Sequence, residues 1–241
     1  MPAIEIPKHV LDAADITSIS QLIMLERESR DQQRWETMRE CFHEDALIRI
    51  SWITGNADEF VNGSIDMAKR GMPAKHRLGP ILVRLSADRA VAAADRAVAA
   101  LGADRAVAAL GADRAVAALG ADRALATLGG VIDIPVKVGG IDAQLSSYAR
   151  FFYKAERRGG QWKLSGFDAA YVRDELVATV PGQILSIEPG DLVRFRKSYQ
   201  MLCYVLSENG YSVNGNLAGD DRPETVRALE TELFSWAGVQ P

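Results

Sequence analysis

ITSISQLIMLERESRDQQRWETMRECF, residues 16–42, is the stretch on which the fold turns. Ile16, Ile19, Leu22 and Ile23 recur at helical spacing, with Asp15, Thr17 and Ser18 as candidate N-caps, so the segment reads as a helix with one buried stripe. From Glu26 to Arg34 the run ERESRDQQR carries no apolar side chain, and Trp35, Met38, Cys41 and Phe42 then restore the pattern. Such a break is either a solvated elbow between two helices or the place where a polar group is aimed into a cavity. Asp31 stands within it, four residues before Trp35.

Upstream of this helix, residues 1–14 read as an irregular arm. Downstream, Ala46 to Trp52 (ALIRISW) is a β-rich strand closed by Thr54 and Gly55. Asn56, with Glu59 three residues on, predicts a variant of the capping box; Phe60, Val61, Ile65 and Ala68 supply the helical stripe, and Gly71 ends it. Leu78 to Leu85 predicts a second strand with Ile81, Val83 and Leu85 on one face, and His76 stands just before it.

Residues 87–129 repeat themselves: ADRAVAA, then ADRAVAALG three times, then ADRALATLG. Copies this close come from recent tandem duplication or from construction, and neither process selects a catalytic residue in each copy. The segment therefore reads as an inserted spacer, against the alternative of an Asp-Arg ladder that binds something periodic. Locally each unit favours helix, with Asp as N-cap, an Ala-rich run and Gly where a C-cap falls. Nine residues at about 100° each put successive Val and Leu pairs on opposite sides, so no single apolar stripe forms. The expectation is one long helix, of about 50 Å, in preference to short helices broken at each glycine.

Strands resume with Val131 to Val138 and a Gly139-Gly140 turn. Ala143 to Glu156 and Gln161 to Val172 are long, aromatic-rich runs joined by Arg157-Arg158-Gly159-Gly160, a hairpin signal. From Pro181 the character changes: Gly190 to Leu206 reads as helix, Gly210 to Gly219 as loop. Asp221-Arg222-Pro223-Glu224 opens a last helix with capping-box spacing and a first-turn proline, running to about Trp236. The whole is an α+β pattern with a mostly antiparallel sheet. It divides into a domain over 1–180, interrupted by the insertion at 87–120, and a helical C-terminal extension over 181–241.

Composition narrows the function. The 241 residues are 48% hydrophobic, ample for a core. A net charge of −4 and a pI near 5.5, with RFRK at Arg194–Lys197 as the densest basic cluster, argue against a nucleic-acid or anionic-membrane partner. Two cysteines, Cys41 and Cys203, give no disulfide framework and no metal spacing. No apolar run reaches the roughly 18 residues of a membrane span and the start lacks a signal-peptide pattern, so a cytoplasmic protein is expected.

The runs RDQQRWETMRECFHEDALI (30–48), GNADEFVNGSIDMAKRGMPAKHRL (55–78) and YARFFYKAERRGGQWKLSGFDAAYVRD (148–174) resemble the SnoaL-like branch of the NTF2-like superfamily. That branch holds relatives of scytalone dehydratase, ketosteroid isomerase, hexachlorocyclohexane dehydrochlorinase and polyketide cyclases. The resemblance covers roughly residues 14–86 and 121–180 and leaves the repeat outside. It implies a curved sheet wrapped round one long helix, a cone whose open end is a pocket. It also implies a catalytic pair, an aspartate a few residues before a helix tryptophan and a histidine ahead of the next strand, which fall on Asp31 and His76. An imidazole needs such a carboxylate to fix its tautomer and to stabilise the imidazolium formed when it takes a proton. Read without the resemblance, Asp31 instead caps the elbow or pairs with Arg34, and His76 lies half exposed beside Lys75.

Trp52, Tyr148, Phe152, Asp168 and Tyr171 are the further candidates to line or polarise the pocket, and which of them do so depends on strand register. Tyr148 and Tyr171 are the candidate donors to a substrate carbonyl, although no paired-tyrosine motif like that of scytalone dehydratase is present. The reading that follows is a lyase or isomerase with no cofactor and no metal, acting on a small hydrophobic, polyketide-like or steroid-like molecule. Its alternative is a non-catalytic small-molecule-binding or structural subunit, a use to which the same fold is put. The long strands carry more apolar side chains than one buried face requires, so a homodimer or higher oligomer is expected.

Overall fold

A computed structural model describes residues 7–86 and 122–240. Helix α1 (Lys8–Asp31) takes in residues 8–14 of the expected arm, residues 1–6 of which lie outside the described residues, so Asp15, Thr17 and Ser18 are interior residues and not N-caps. Asp15 accepts hydrogen bonds from the Arg157 guanidinium (2.9 and 3.0 Å) and from the Trp162 indole (2.9 Å). The Thr17 and Ser18 hydroxyls turn back to the carbonyls of Ala13 and Ala14. The charged run does not break the helix. Ile19 and Ile23 are followed along the same stripe by Glu26, Arg27 and Arg30, all buried, so the charges continue the inward face. The elbow comes after them. Gln33 takes a φ of 60°, its N–H reaches the Arg30 carbonyl (3.2 Å), and the Arg34 N–H reaches that of Ser29 (2.7 Å). These are the two bonds of a Schellman turn, and α2 (Trp35–Glu40) follows it.

The strands are β1 (Phe42–Ile50), β2 (Ile53–Asn56), β3 (Lys75–Leu78), β4 (Leu82–Leu85), β5 (Arg123–Val138), β6 (Ile141–Arg158), β7 (Gln161–Ala178) and the two-residue β8 (Ala218–Gly219). They form one curved, unclosed sheet in the order β2-β1-β7-β6-β5-β3, with β4 also on β5 and β8 also on β7. Only β1 and β8 run parallel to their neighbour β7. Thr54 and Gly55 belong to β2 and do not close the strand before it. The strand expected over 78–85 is two strands, laid end to end along β5 and separated at residues 79–81. His76 consequently sits inside β3.

Helix α3 (Ala57–Lys69) starts at the predicted capping box: Asn56 Oδ1 accepts from the Glu59 N–H at 2.9 Å, and Glu59 Oε2 accepts from the Asn56 N–H at 2.8 Å. The β6–β7 hairpin turns on Gly159 and Gly160, at φ 60° and 82°, a two-residue turn that demands left-handed backbone at both positions.

The expected helix over 87–120 lies outside the described residues. The last copy of the repeat, however, is strand from Arg123 onward. Helix propensity separates residues by a few tenths of a kcal/mol. Here it is outweighed by pairing to β4 on one side and β6 on the other, with Ala124, Ala126 and Leu128 buried on one face and Leu125 on the other.

Beyond β7 the predicted helix 190–206 is interrupted. Helix α4 (Pro189–Leu192) and a 3₁₀ turn (Lys197–Tyr199) precede α5 (Gln200–Glu208). Between them Arg196 is extended, and its guanidinium is held by Asp221 (2.6 and 3.1 Å) and the Leu217 carbonyl. Asp221 is thereby committed to Arg196 and Ser198, so α6 (Pro223–Ala237) has its first-turn proline but no side-chain cap.

The main core lies inside the curve of the sheet, between α1, α3 and α5. A second cluster lies on the outer face, where Leu125, Phe152 and Ala170 meet Val226, Leu233 and Ala237 of α6. Part of the apolar surplus of β6 and β7, at Phe152 and Ala170, is thus covered by the chain itself, while Val172 and Val177 stay exposed. Among the described residues no helix is long and apolar enough to cross a membrane.

Candidate active site

Asp31 is the last residue of α1, and β3 passes it edge-on. Its Oδ1 accepts from His76 Nδ1 at 2.6 Å and its Oδ2 from the His76 backbone N–H at 2.7 Å. Lys75 Nζ bonds the Asp31 carbonyl, and Arg34 leans towards Glu28 (3.6 Å), so the carboxylate is neither an elbow cap nor an Arg34 partner. On the other side of the ring, His76 Nε2 stands 3.4 Å from Arg27 Nη1. A guanidinium N–H can only donate, so Nε2 is the acceptor and Nδ1 carries the proton.

Burial pulls the His76 pKa down to about 3, against the raising effect of the Asp31 hydrogen bond and together with the lowering charges of Arg27 and Arg30. The ring is therefore neutral at pH 7, with its one proton on Nδ1. Partial burial raises the Asp31 carboxyl, but the His76 hydrogen bonds outweigh it and hold it below the usual carboxylate range.

His76 lines a cavity of about 30 Å³ between α1, α3, the sheet and α5. Phe151 meets the imidazole edge-on, with centroids 6.4 Å apart. The ring reaches across β5 because position 130 is glycine: a Cβ there would stand 2.5 Å from it. Glu26 and Arg27 form a buried ion pair, and the Arg27 guanidinium lies 4.9 Å from the Phe167 ring centroid. Leu202 and Leu206, from α5, close the remaining wall.

Of the other sequence candidates, Trp52 and Tyr171 line this cavity. Trp52 packs on Phe60 and Tyr211. The Tyr171 hydroxyl oxygen accepts the Ser51 N–H at 3.0 Å while its ring lies on Tyr199.

Tyr148, Phe152 and Asp168 are brought elsewhere. Tyr148 donates to Glu175 (2.7 Å) beneath the Arg173 guanidinium, Phe152 sits under α6, and Asp168 pairs with Arg49, which also holds Glu232 of α6. The cause is strand parity. Phe151, Tyr153, Phe167 and Ala169 point inward, so Phe152 and Asp168 point out. Sequence reasoning missed Glu26, Arg27 and Arg30. Their signal was spacing: they lie seven, eight and eleven residues after Ile19, on the continuation of its stripe.

A long helix held in a curved, unclosed sheet, with side chains from helix, sheet and tail converging on a cavity, defines the NTF2-like cone class. The family model described as SnoaL-like domain matches residues 12–168, well over half of the chain, and the chain belongs to that family. The family includes dehydratases, isomerases and dehydrochlorinases.

Among solved structures, the chain is similar to a type 2 hexachlorocyclohexane dehydrochlorinase, LinA, at 16% identity, over 76% of this chain and 99% of that one, with a TM-score of 0.49. It is also similar to a scytalone dehydratase-like protein of Novosphingobium aromaticivorans, at 11% identity over 72% and 97%, TM-score 0.47. The type 3 LinA dehydrochlorinase of Novosphingobium barchaimii is 14% identical over 75% and 99%, TM-score 0.47. No curated protein matches the chain. Leu202 and Leu206 lie beyond the family match, so part of the cavity wall is supplied by the chain's own tail.

Proposed function

We propose that this chain is a cofactor-independent small-molecule lyase or isomerase of the dehydratase-like kind, in which His76 is the general base and Asp31 its orienting partner. The observation that carries the reading is the 2.6 Å Asp31–His76 contact on a cavity wall, with the ring in the tautomer that leaves Nε2 unprotonated. When substrate displaces the long Arg27 Nη1 contact, the Nε2 lone pair takes a proton from substrate carbon, and Asp31 stabilises the imidazolium that results. The electron pair left on carbon either expels a neighbouring leaving group or is delocalised onto a carbonyl oxygen and reprotonated at another carbon. Arg27, beside Nε2, and the Tyr171 hydroxyl are placed to meet the charge that develops.

A second reading, a non-catalytic binding or structural subunit, has one observation in its favour. At about 30 Å³ the cavity is far below the several hundred Å³ of typical ligand sites, so a polyketide or steroid enters only if its walls move apart. The test is a panel of small carbonyl compounds, with an acidic C–H or a β leaving group, followed by proton NMR in deuterium oxide. Exchange or elimination by the wild type should fall about 10²–10⁴-fold in His76→Ala with the fold retained by circular dichroism. Turnover that survives the substitution removes His76 from the mechanism, and a wild type inert to the whole panel favours the second reading.

A further inference from the structure

Two guanidinium groups face the cavity, and they are not equivalent. Arg27 is neutralised: Glu26 takes its Nε and Nη2, leaving Nη1 towards His76. Arg30 is just as deeply buried, at 7% exposure, yet among the described residues no carboxylate lies within ion-pair distance of it. Its hydrogen bonding there is confined to Nε, which donates to Ser64 Oγ at 3.2 Å. Neither Nη group has an acceptor among the described residues and neither is fully buried, on a guanidinium that lines the same cavity as His76, borders a smaller one beside Trp35 and Met72, and lies 5.8 Å from the Phe60 ring centroid. A buried cation is ordinarily paired, because taking it out of water without an anion is costly. Burial and then the neighbouring Arg27 charge pull the Arg30 pKa down to about 10, so it is still charged at neutral pH.

We propose that Arg30 is the anion-binding residue of this cavity and that the ligand it recognises carries a carboxylate, which the two Nη groups take as a fork. This rests on the cavity being the ligand site, and it names the substrate class: a small carboxylic acid in place of the neutral apolar molecule expected from the sequence. A guanidinium fork matches the two carboxylate oxygens, which an amide or an alcohol cannot replace. The size of the cavity fits a short acid better than a ring system. Burial is the main reason that His76 is a weak base, and the Arg27 and Arg30 charges add to it; an anion on Arg30 cancels part of that added effect and moves the imidazole towards a useful basicity.

The test uses formate, acetate and propionate against formamide, acetamide and propionamide, titrated into the full chain and followed by His76 ring shifts in NMR and by melting temperature. Millimolar binding of the acids, at least about tenfold tighter than of the matching amides, is expected. Arg30→Gln should lose that preference, and Arg30→Lys, which keeps the cation without the fork, should lose affinity several-fold. Amides bound as tightly as acids, acid affinity unchanged in Arg30→Gln, or no acid binding by the folded wild type at 100 mM (about a hundredfold above a 1 mM Kd) overturns the proposal. Should Arg30→Gln fail to fold, Arg30→Lys decides, and unchanged acetate affinity in it is the overturning result. The same titration on His76→Ala, read by melting temperature, separates this claim from the general-base reading. Acid binding that persists there while the wild type turns nothing over sinks the base and keeps the site; turnover without any acid preference sinks the carboxylate alone.

Discussion

Deleting residues 87–120 should leave the fold intact and make it slightly more stable. The chain ends on either side of this segment are already held together: Leu85 pairs with Ala124, the Ser86 N–H donates to the Arg123 carbonyl at 2.8 Å, and the Arg157 N–H to the Asp122 carbonyl at 2.8 Å. Between the paired Leu85 and Ala124 lie residues 86–123, thirty-eight in all, and removal of thirty-four leaves Ser86-Ala121-Asp122-Arg123, an ordinary four-residue hairpin loop. Closure entropy scales as three-halves RT times the logarithm of loop length, so this shortening by a factor of about 9.5 is worth about 2 kcal/mol. That figure is an upper bound on the gain, because a tight loop restrains its own backbone. Urea unfolding of the two chains, followed by circular dichroism, measures it. Equal or greater stability in the deleted chain, up to about 2 kcal/mol, is the expected result. A deleted chain that is insoluble, or less stable by more than about 1 kcal/mol, refutes the reasoning, because residues 87–120 then contribute contacts that the host fold needs.

Three further outcomes follow from the packing and the charges. Leu206→Ala, at a residue 1% exposed on the cavity wall, should cost about 2–4 kcal/mol in urea unfolding, and a loss below about 1 kcal/mol means that α5 is not seated on the cone. Between pH 6.5 and 4 the unfolded chain protonates His76 and the folded chain does not, so stability falls with acid by about 1.4 kcal/mol per pH unit from this group. Asp174, whose carboxyl burial pushes up to about 6 at the start of α5, works in the opposite sense, since the folded chain then takes its proton first. The measurement is therefore the difference between wild type and His76→Gln, which should remove most of the His76 slope; identical slopes contradict the buried neutral ring. A chain ending at residue 222 uncovers Leu125, Phe152 and Ala170, and light scattering at micromolar concentration should show it associating beyond whatever state the full chain has. An unchanged mass means that α6 is dispensable cover.

The elements of the cone were legible because their signals are local. The Asn56–Glu59 capping box formed as read; the double-glycine hairpins and the two aromatic strands also formed, with Arg157 and Arg158 in β6 and not in the connection, and with β7 running on to Ala178. The repeat shows the limit of that logic. ADRALATLG has the composition of a helix, but from Arg123 it is strand, paired on both edges over residues 124–127, which no local preference announces. The site divides in the same way. Asp31 and His76 could be placed through the family motif, whereas Phe152 and Asp168 were assigned to a cavity that their neighbours Phe151 and Phe167 line, because a one-residue choice of strand face is not written in the strand itself. For the run that holds Arg27 and Arg30 the sequence left an elbow and a polar group aimed into a cavity both open, although the helical spacing from Ile19 and Ile23 puts these residues on the buried face. Nothing near position 31 in sequence indicates that Leu202 and Leu206 complete its cavity.

General-base chemistry at this site depends most directly on the state of one imidazole, and nitrogen NMR of the His76 ring reads it without knowledge of the substrate. At pH 7 Nδ1 should show the shift of a protonated, hydrogen-bonded nitrogen and Nε2 that of a bare one, with no titration down to about pH 4, and Asp31→Asn should disturb that pattern. An imidazolium at pH 7, or a proton on Nε2 with Nδ1 bare, would contradict the general-base arrangement.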